Sequence, residues 1–169
     1  MSSLAKKICL IGDFGVGKTS LVRRFVSNIF TDDYITTVGV KIETKVVNLD
    51  HENSVKLVIW DIAGADNLDS LKMSYLQGAN GYLLVADGTR RNTLDSALVL
   101  KQKIDSVLDA PPYQLLLNKV DLKSDWELGD DDYLMLKQKN ILYSESSALT
   151  GSAVEQAFEK LARGFWQSK

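Results

Sequence analysis

Apolar residues in this chain fall into short runs that alternate between a strand period and a helix period. Lys6-Lys7-Ile8-Cys9-Leu10-Ile11 has the length and continuity of a buried parallel strand, and Ser20 to Phe25 then places Leu21, Val22 and Phe25 on one side of a helix. Ser27 to Thr37 is polar and without a clear period. Residues 40–49 alternate, with Val40, Ile42 and Val46 against Lys41, Glu43 and Lys45, which predicts an edge strand with one packed and one wet face. Asp50-His51-Glu52-Asn53 reads as a turn, so residues 40–60 form a hairpin ending in Ser54-Val55-Lys56-Leu57-Val58-Ile59-Trp60. Three further strands follow at 82–86, 113–117 and 141–143. Helical spacing joins Leu94, Leu98, Ile104 and Leu108, and again Val154, Ala157, Phe158, Leu161 and Phe165. Alternating strands and helices predict an α/β fold. Its sheet should have six strands, mostly parallel with one antiparallel edge strand, and about five helices covering both faces.

Composition narrows the setting. A chain of 169 residues with 45% hydrophobic and 25% charged residues is expected to form one domain spanning 1–169. Its net charge of −2 argues against a nucleic-acid partner. The single cysteine, Cys9, lies within the first strand and reads as a packing residue. No run has the length of a membrane span, Met1-Ser2-Ser3 begins no signal peptide, and Phe165-Trp166-Gln167-Ser168-Lys169 carries no lipid-accepting cysteine. The expectation is a cytoplasmic monomer without direct membrane insertion.

Candidate chemistry enters directly after the first strand. Residues 12–19, Gly-Asp-Phe-Gly-Val-Gly-Lys-Thr, match G-x-x-x-x-G-K-[ST] in full. Glycines at 12, 15 and 17 allow the backbone to curl so that its N–H groups face phosphate oxygens. Lys18 would lie against the β- and γ-phosphates, the Thr19 hydroxyl would occupy one place on Mg²⁺, and the next helix would add its N-terminal dipole. Kinases, ATPases and GTPases all use such a loop. Asn118-Lys119-Val120-Asp121 discriminates among them, because it follows a buried strand where an open α/β sheet forms its ligand crevice. A carboxylate there can accept from N1–H and the exocyclic amine of guanine, a donor pair that adenine lacks. The Lys119 stem can cover the base, while Asn118 ties this loop to the phosphate loop. An ATP-using metabolic kinase is the disfavoured rival.

With both motifs in place, residues 5–167 resemble the Ras superfamily of small GTPases, most closely the Rab branch. The resemblance implies a P-loop NTPase fold of the small G-protein type that binds GTP or GDP with Mg²⁺ and hydrolyses GTP. Phe30-Thr31-Asp32-Asp33-Tyr34-Ile35-Thr36-Thr37-Val38-Gly39-Val40 resembles switch I. Lys56-Leu57-Val58-Ile59-Trp60-Asp61-Ile62-Ala63-Gly64 resembles the entry to switch II. The implied nucleotide set is Gly15, Val16, Gly17, Lys18, Thr19, Ser20, Phe30, Tyr34, Thr37, Gly64, Asn118, Lys119, Asp121, Leu122, Ser147, Ala148 and Leu149. Thr19, Thr37 and Asp61 are the implied metal residues, and Lys18, Thr37 and Gly64 the implied catalytic ones. Within that set Phe30 packs on the guanine edge, Tyr34 flaps over the phosphates, the Gly64 N–H meets the γ-phosphate, and the Ala148 N–H meets guanine O6. Protein effectors and regulators would read residues 30–40 and 64–77. Trp60 suits either that contact or simple packing at a strand end.

The chain departs from the family at several positions. Ala65 stands where members usually place a water-orienting Gln after Asp-x-x-Gly, and Phe14 stands where a small residue is usual. A benzyl group there crowds both the attacking water and an incoming arginine finger, a group that contributes about 10³–10⁵-fold in rate. Slow hydrolysis is therefore expected, with a GTP-bound interaction module lacking turnover as the alternative. Asp66 and Asn67 are near enough in sequence to stand in for the Gln. Leu149 replaces a usual Lys, and Lys41-Ile42 replaces an acidic-aromatic pair, which leaves partner choice open. Arg90 and Arg91 are expected on the base side of the sheet as solvated or helix-capping residues. His51 reads as an exposed turn residue, and Asp130-Asp131-Asp132 as a solvated helix start.

Overall fold

The computed structural model describes residues 2–32, 37–64 and 73–168. Tyr34, Ala65, Asp66 and Asn67, and most of the segment expected as switch II, lie outside the described residues. Six strands form one sheet: β1 (Ser2–Ile11), β2 (Val40–Asn48), β3 (Asn53–Ile62), β4 (Gly81–Asp87), β5 (Tyr113–Asn118) and β6 (Tyr143–Ser146). Their spatial order is β2-β3-β1-β4-β5-β6. Only the β2–β3 pair is antiparallel, as the hairpin reading requires. Four α-helices occur among the described residues: α1 (Lys18–Ser27), α2 (Arg91–Leu108), α3 (Asp130–Gln138) and α4 (Val154–Gln167).

Each sheet face carries its own core. Leu10, Leu57, Ile59, Leu83 and Leu116 pack with α1 and α4 through Leu21, Phe25, Phe158 and Leu161. On the opposite face Cys9, Ile11, Leu84 and Leu117 pack with Leu94, Ala97 and Ile104 of α2 and Leu136 of α3. β4 is buried at every residue, because helices cover both of its faces. Cys9 is buried in that second layer, and burial pushes its thiol up to about 12.

The edge strand corrects the sequence reading. Ile42 and Val46 are half-exposed, whereas Val47 is buried and Lys45 points inward. Pairing explains the inversion. Ile42 lies opposite Trp60 and Val46 opposite Lys56, on the outer face of the hairpin; Lys45 lies opposite Leu57 and Val47 opposite Val55, on the core face. Lys45 tolerates that side because its stem reaches out along apolar surface. Its Nζ sits 4.0 Å from the Phe25 ring centroid, donates to the Phe25 carbonyl and pairs with Glu155.

Two other readings shift. β6 begins at Tyr143, so Ile141 and Leu142 precede it, and its end falls at the Ser146-Ser147-Ala148 segment. Asp132 is buried: it accepts from Arg91 Nε at 2.9 Å and from the Gly129 N–H at 3.0 Å, leaving only Asp130 and Asp131 as the solvated helix start. Arg91, which also pairs with Asp95, thereby joins α2 to α3. His51 is exposed, in a turn closed by Asp50 Oδ1 accepting from the N–H groups of Glu52 and Asn53.

Candidate nucleotide site

Three strand ends build the site. The loop after β1 runs into α1, the loop after β5 carries Asn118 to Asp121, and the loop after β6 carries Ser147 to Leu149. Parallel pairing of β1, β4, β5 and β6 puts these loops at the same edge of the sheet. Between them lies a cleft of about 260 Å³. Gly15, Gly17, Lys18, Thr19, Ser20, Phe30, Thr37, Gly64, Asn118, Lys119, Asp121, Leu122, Ala148 and Leu149 line it. Residues separated by more than a hundred positions thus line one cleft.

Two expected residues serve behind the wall. Val16 is fully buried in the core, and its carbonyl accepts from Asn118 Nδ2 at 2.9 Å. Ser147 is also buried and donates its hydroxyl to Asp121 Oδ1 at 2.6 Å. Three lining residues were missing from the expected contact set: Phe14, Thr31 and Asp32. The sequence marks Phe14 by its bulk alone, and Thr31 and Asp32 sit inside the segment that resembles switch I. No local signal in the sequence marks Arg24. It donates to the carbonyls of Ala148 (2.8 Å) and Leu149 (2.5 Å), holding the third loop from a helix far away in sequence.

The phosphate loop has the local geometry that its glycines allow. Gly15 and Gly17 have φ of 73° and 105°, and α1 begins directly at Lys18, leaving its first N–H groups facing the cleft. A Cβ at Gly17 would fall 2.3 Å from Asn118 Nδ2. Gly17→Ala combines left-handed strain with displacement of the amide that holds Val16, so it should cost about 1–3 kcal/mol. Urea unfolding of the nucleotide-free protein measures this, and an unchanged midpoint would contradict it.

Lys18 Nζ donates to the carbonyls of Gly12 (2.8 Å) and Asp13 (2.9 Å), and burial pushes its pKa down to about 8. Beside it, Thr19 Oγ1 lies 2.5 Å from Thr37 Oγ1 and donates to Asp61 Oδ2 at 2.6 Å. Asp61 is buried, which raises its pKa, and its Oδ1 has no hydrogen-bond partner among the described residues. Two hydroxyls and a carboxylate with an unused buried oxygen form a hard oxygen set that fits Mg²⁺.

The profile of the Ras family matches residues 7–167. The chain belongs to the Ras family. Among curated Ras-family proteins it is 38% identical to the Ras-related protein Rab-1 of Theileria annulata over 160 residues, covering 93% of this chain and 72% of that protein. It is 37% identical to the GTP-binding protein YPT1 of Saccharomyces cerevisiae over 164 residues, 96% of this chain and 79% of that one. It is 41% identical to Rab-32A of Dictyostelium discoideum over 160 residues, 89% and 73% of the two chains. As a Rab-like member of the Ras family the protein is a GTP-binding molecular switch, in a family of GTP hydrolases that bind GTP or GDP with Mg²⁺ and engage effectors and regulators. Among the described residues no helix is long and apolar enough to cross a membrane.

Proposed function

We propose that this protein is a slow guanine-nucleotide switch, active while GTP-bound and read by protein partners in the Rab manner. The observation that supports the slow turnover is the Phe14 side chain in the cleft, together with the alanine that the sequence places at position 65. Phe14 lines the cleft and is 40% exposed, so its ring occupies space beside the phosphate loop. Ala65, directly after Gly64, has no polar atom with which to orient water. A Cβ on Gly64 would lie 2.5 Å from Phe14 Cα, which brings the start of switch II against the Phe14 backbone.

In this reading Lys18 and the loop N–H groups hold the β- and γ-phosphates, and the charge that develops during phosphoryl transfer falls on them. Thr19, Thr37 and Asp61 hold Mg²⁺, which when bound supplies charge neutralisation at the phosphate oxygens. Asp121 accepts from guanine, Lys119 and Phe30 cover the base, and the Ala148 N–H reads O6. Gly64 senses the γ-phosphate. The exposed apolar strip running from Val38 through Ile42 to Val46, beside the Trp60–Tyr75 pair with ring centroids 6.3 Å apart, supports a protein-reading surface next to switch I. Such a surface suits vesicle-traffic partners of the kind Rab proteins use.

Single-turnover hydrolysis with Mg²⁺ tests the proposal. The parent should be slow, and Ala65→Gln should accelerate it at least about tenfold by restoring a water-positioning amide. A parent rate typical of the family would sink the slow-switch reading. Tight GTP binding with no hydrolysis in either protein would favour the alternative, an interaction module without turnover.

A further inference from the structure

Between the phosphate loop and the base loop lies a charged connection whose middle members, Asp87 and Arg90, belong to neither motif. Asp87 ends β4, is 1% exposed, and uses both carboxylate oxygens. Its Oδ1 accepts from the Thr89 N–H (2.9 Å) and hydroxyl (2.7 Å). Its Oδ2 takes Lys119 Nζ at 2.7 Å and Arg90 Nε at 3.1 Å. The Nη2 of the same guanidinium donates to the Phe14 carbonyl at 2.9 Å. Arg90 was expected among solvated or helix-capping residues on the base side; instead it reaches the phosphate loop.

The base end of this connection is itself anchored. The Gly88 N–H donates to the Asn118 carbonyl at 3.0 Å, and Trp126 Nε1 donates to the Lys119 carbonyl at 2.8 Å. A Cβ at Gly88 would fall 2.1 Å from the Trp126 ring, so the indole lies directly on that backbone. The planar Arg90 guanidinium holds the Asp87 carboxylate and the Phe14 carbonyl in one rigid relative geometry, which a flexible ammonium would not fix. Asn118 to Val16 is a direct bridge between the two loops; Lys119–Asp87–Arg90–Phe14 is a second, and it ends on the opposite limb of the phosphate loop.

We propose that Arg90 is a positioning residue for the phosphate loop, which together with Asp87 transmits the hold of the base loop to the Phe14-Gly15 backbone. The inference rests on the cleft binding guanine nucleotide. On that reading the Phe14-Gly15 backbone lies beside the outer phosphates, so the effect should depend on how many phosphates the ligand carries.

The test is competition binding of GDP and GMP against a fluorescent GDP analogue, for the parent and Arg90→Ala. Losing one charge-assisted hydrogen bond at a partly exposed position should weaken GDP by about three- to tenfold and leave GMP within about twofold. Arg90→Ala added to Asp87→Asn should bring little further loss, since both act through one connection. Equal losses for GDP and GMP, no loss for GDP, or additive losses in the double variant would each overturn the proposal. A parent that binds neither nucleotide overturns the underlying reading as well, which separates that failure from failure of the Arg90 role alone.

Discussion

Replacing Asp121 with alanine is expected to weaken GDP and GTP binding by about 10²–10⁴-fold while leaving the fold intact. Asp121 sits in the 3₁₀ turn Val120–Asp125 after β5, at the cleft wall, held by the Ser147 hydroxyl at 2.6 Å. Guanine presents two adjacent donors to a carboxylate in that place. Charge-assisted hydrogen bonds contribute about 1.5–3 kcal/mol each, and removing the acceptor leaves both base donors unpaired against protein. Asp121 is exposed in the free protein, so its loss opens no core cavity. Calorimetric titration with GDP, run beside ATP, measures both parts. A variant that keeps its GDP affinity would show that guanine is not read there, and the ATP-using kinase reading would return.

The second large effect concerns stability. Phe158→Ala is expected to cost about 3–5 kcal/mol, as fully buried aromatic truncations do. Phe158 of α4 stacks on Phe25 of α1 with ring centroids 3.9 Å apart and planes within 1°, both rings buried. Most of the gain comes from the buried area of the two rings and their packing. The Lys45 ammonium over Phe25 adds a favourable charge on that ring. Since α1 also carries Lys18 and Thr19, loosening it should weaken nucleotide binding as a secondary consequence. Urea unfolding monitored by circular dichroism gives the first quantity. A loss below about 1 kcal/mol would mean that the layer closes over the gap.

Much of this site was legible in the chain because its chemistry is local. A phosphate loop needs glycines at fixed offsets from Lys18 and Thr19, and all of them lie within eight consecutive residues. Asn118, Lys119 and Asp121 are likewise adjacent to one another and to a buried strand. Alternating strand and helix periods then implied a parallel sheet whose strand ends bring such loops together. The boundaries were less legible. Ile141 and Leu142 look like strand residues by composition, yet Leu142 is 71% exposed, and the pairing with β5 begins only at Tyr143.

What the sequence alone determined is therefore the alternating α/β order, the family, and the residues of the two nucleotide motifs, since each depends on short-range spacing. Tertiary structure decided the rest. Alternation along β2 shows that two faces exist, but only the register with β3 decides that Lys45 and Val47 face the core and that Ile42 and Val46 face outward. Asp132 and Arg91, Arg24 and the Ala148–Leu149 loop, and Arg90 with Phe14 are contacts between residues 41, 124 or more, and 76 positions apart. Charged side chains choose such partners by where folding leaves a carbonyl or carboxylate in need of a donor, and nothing local in the chain specifies that place.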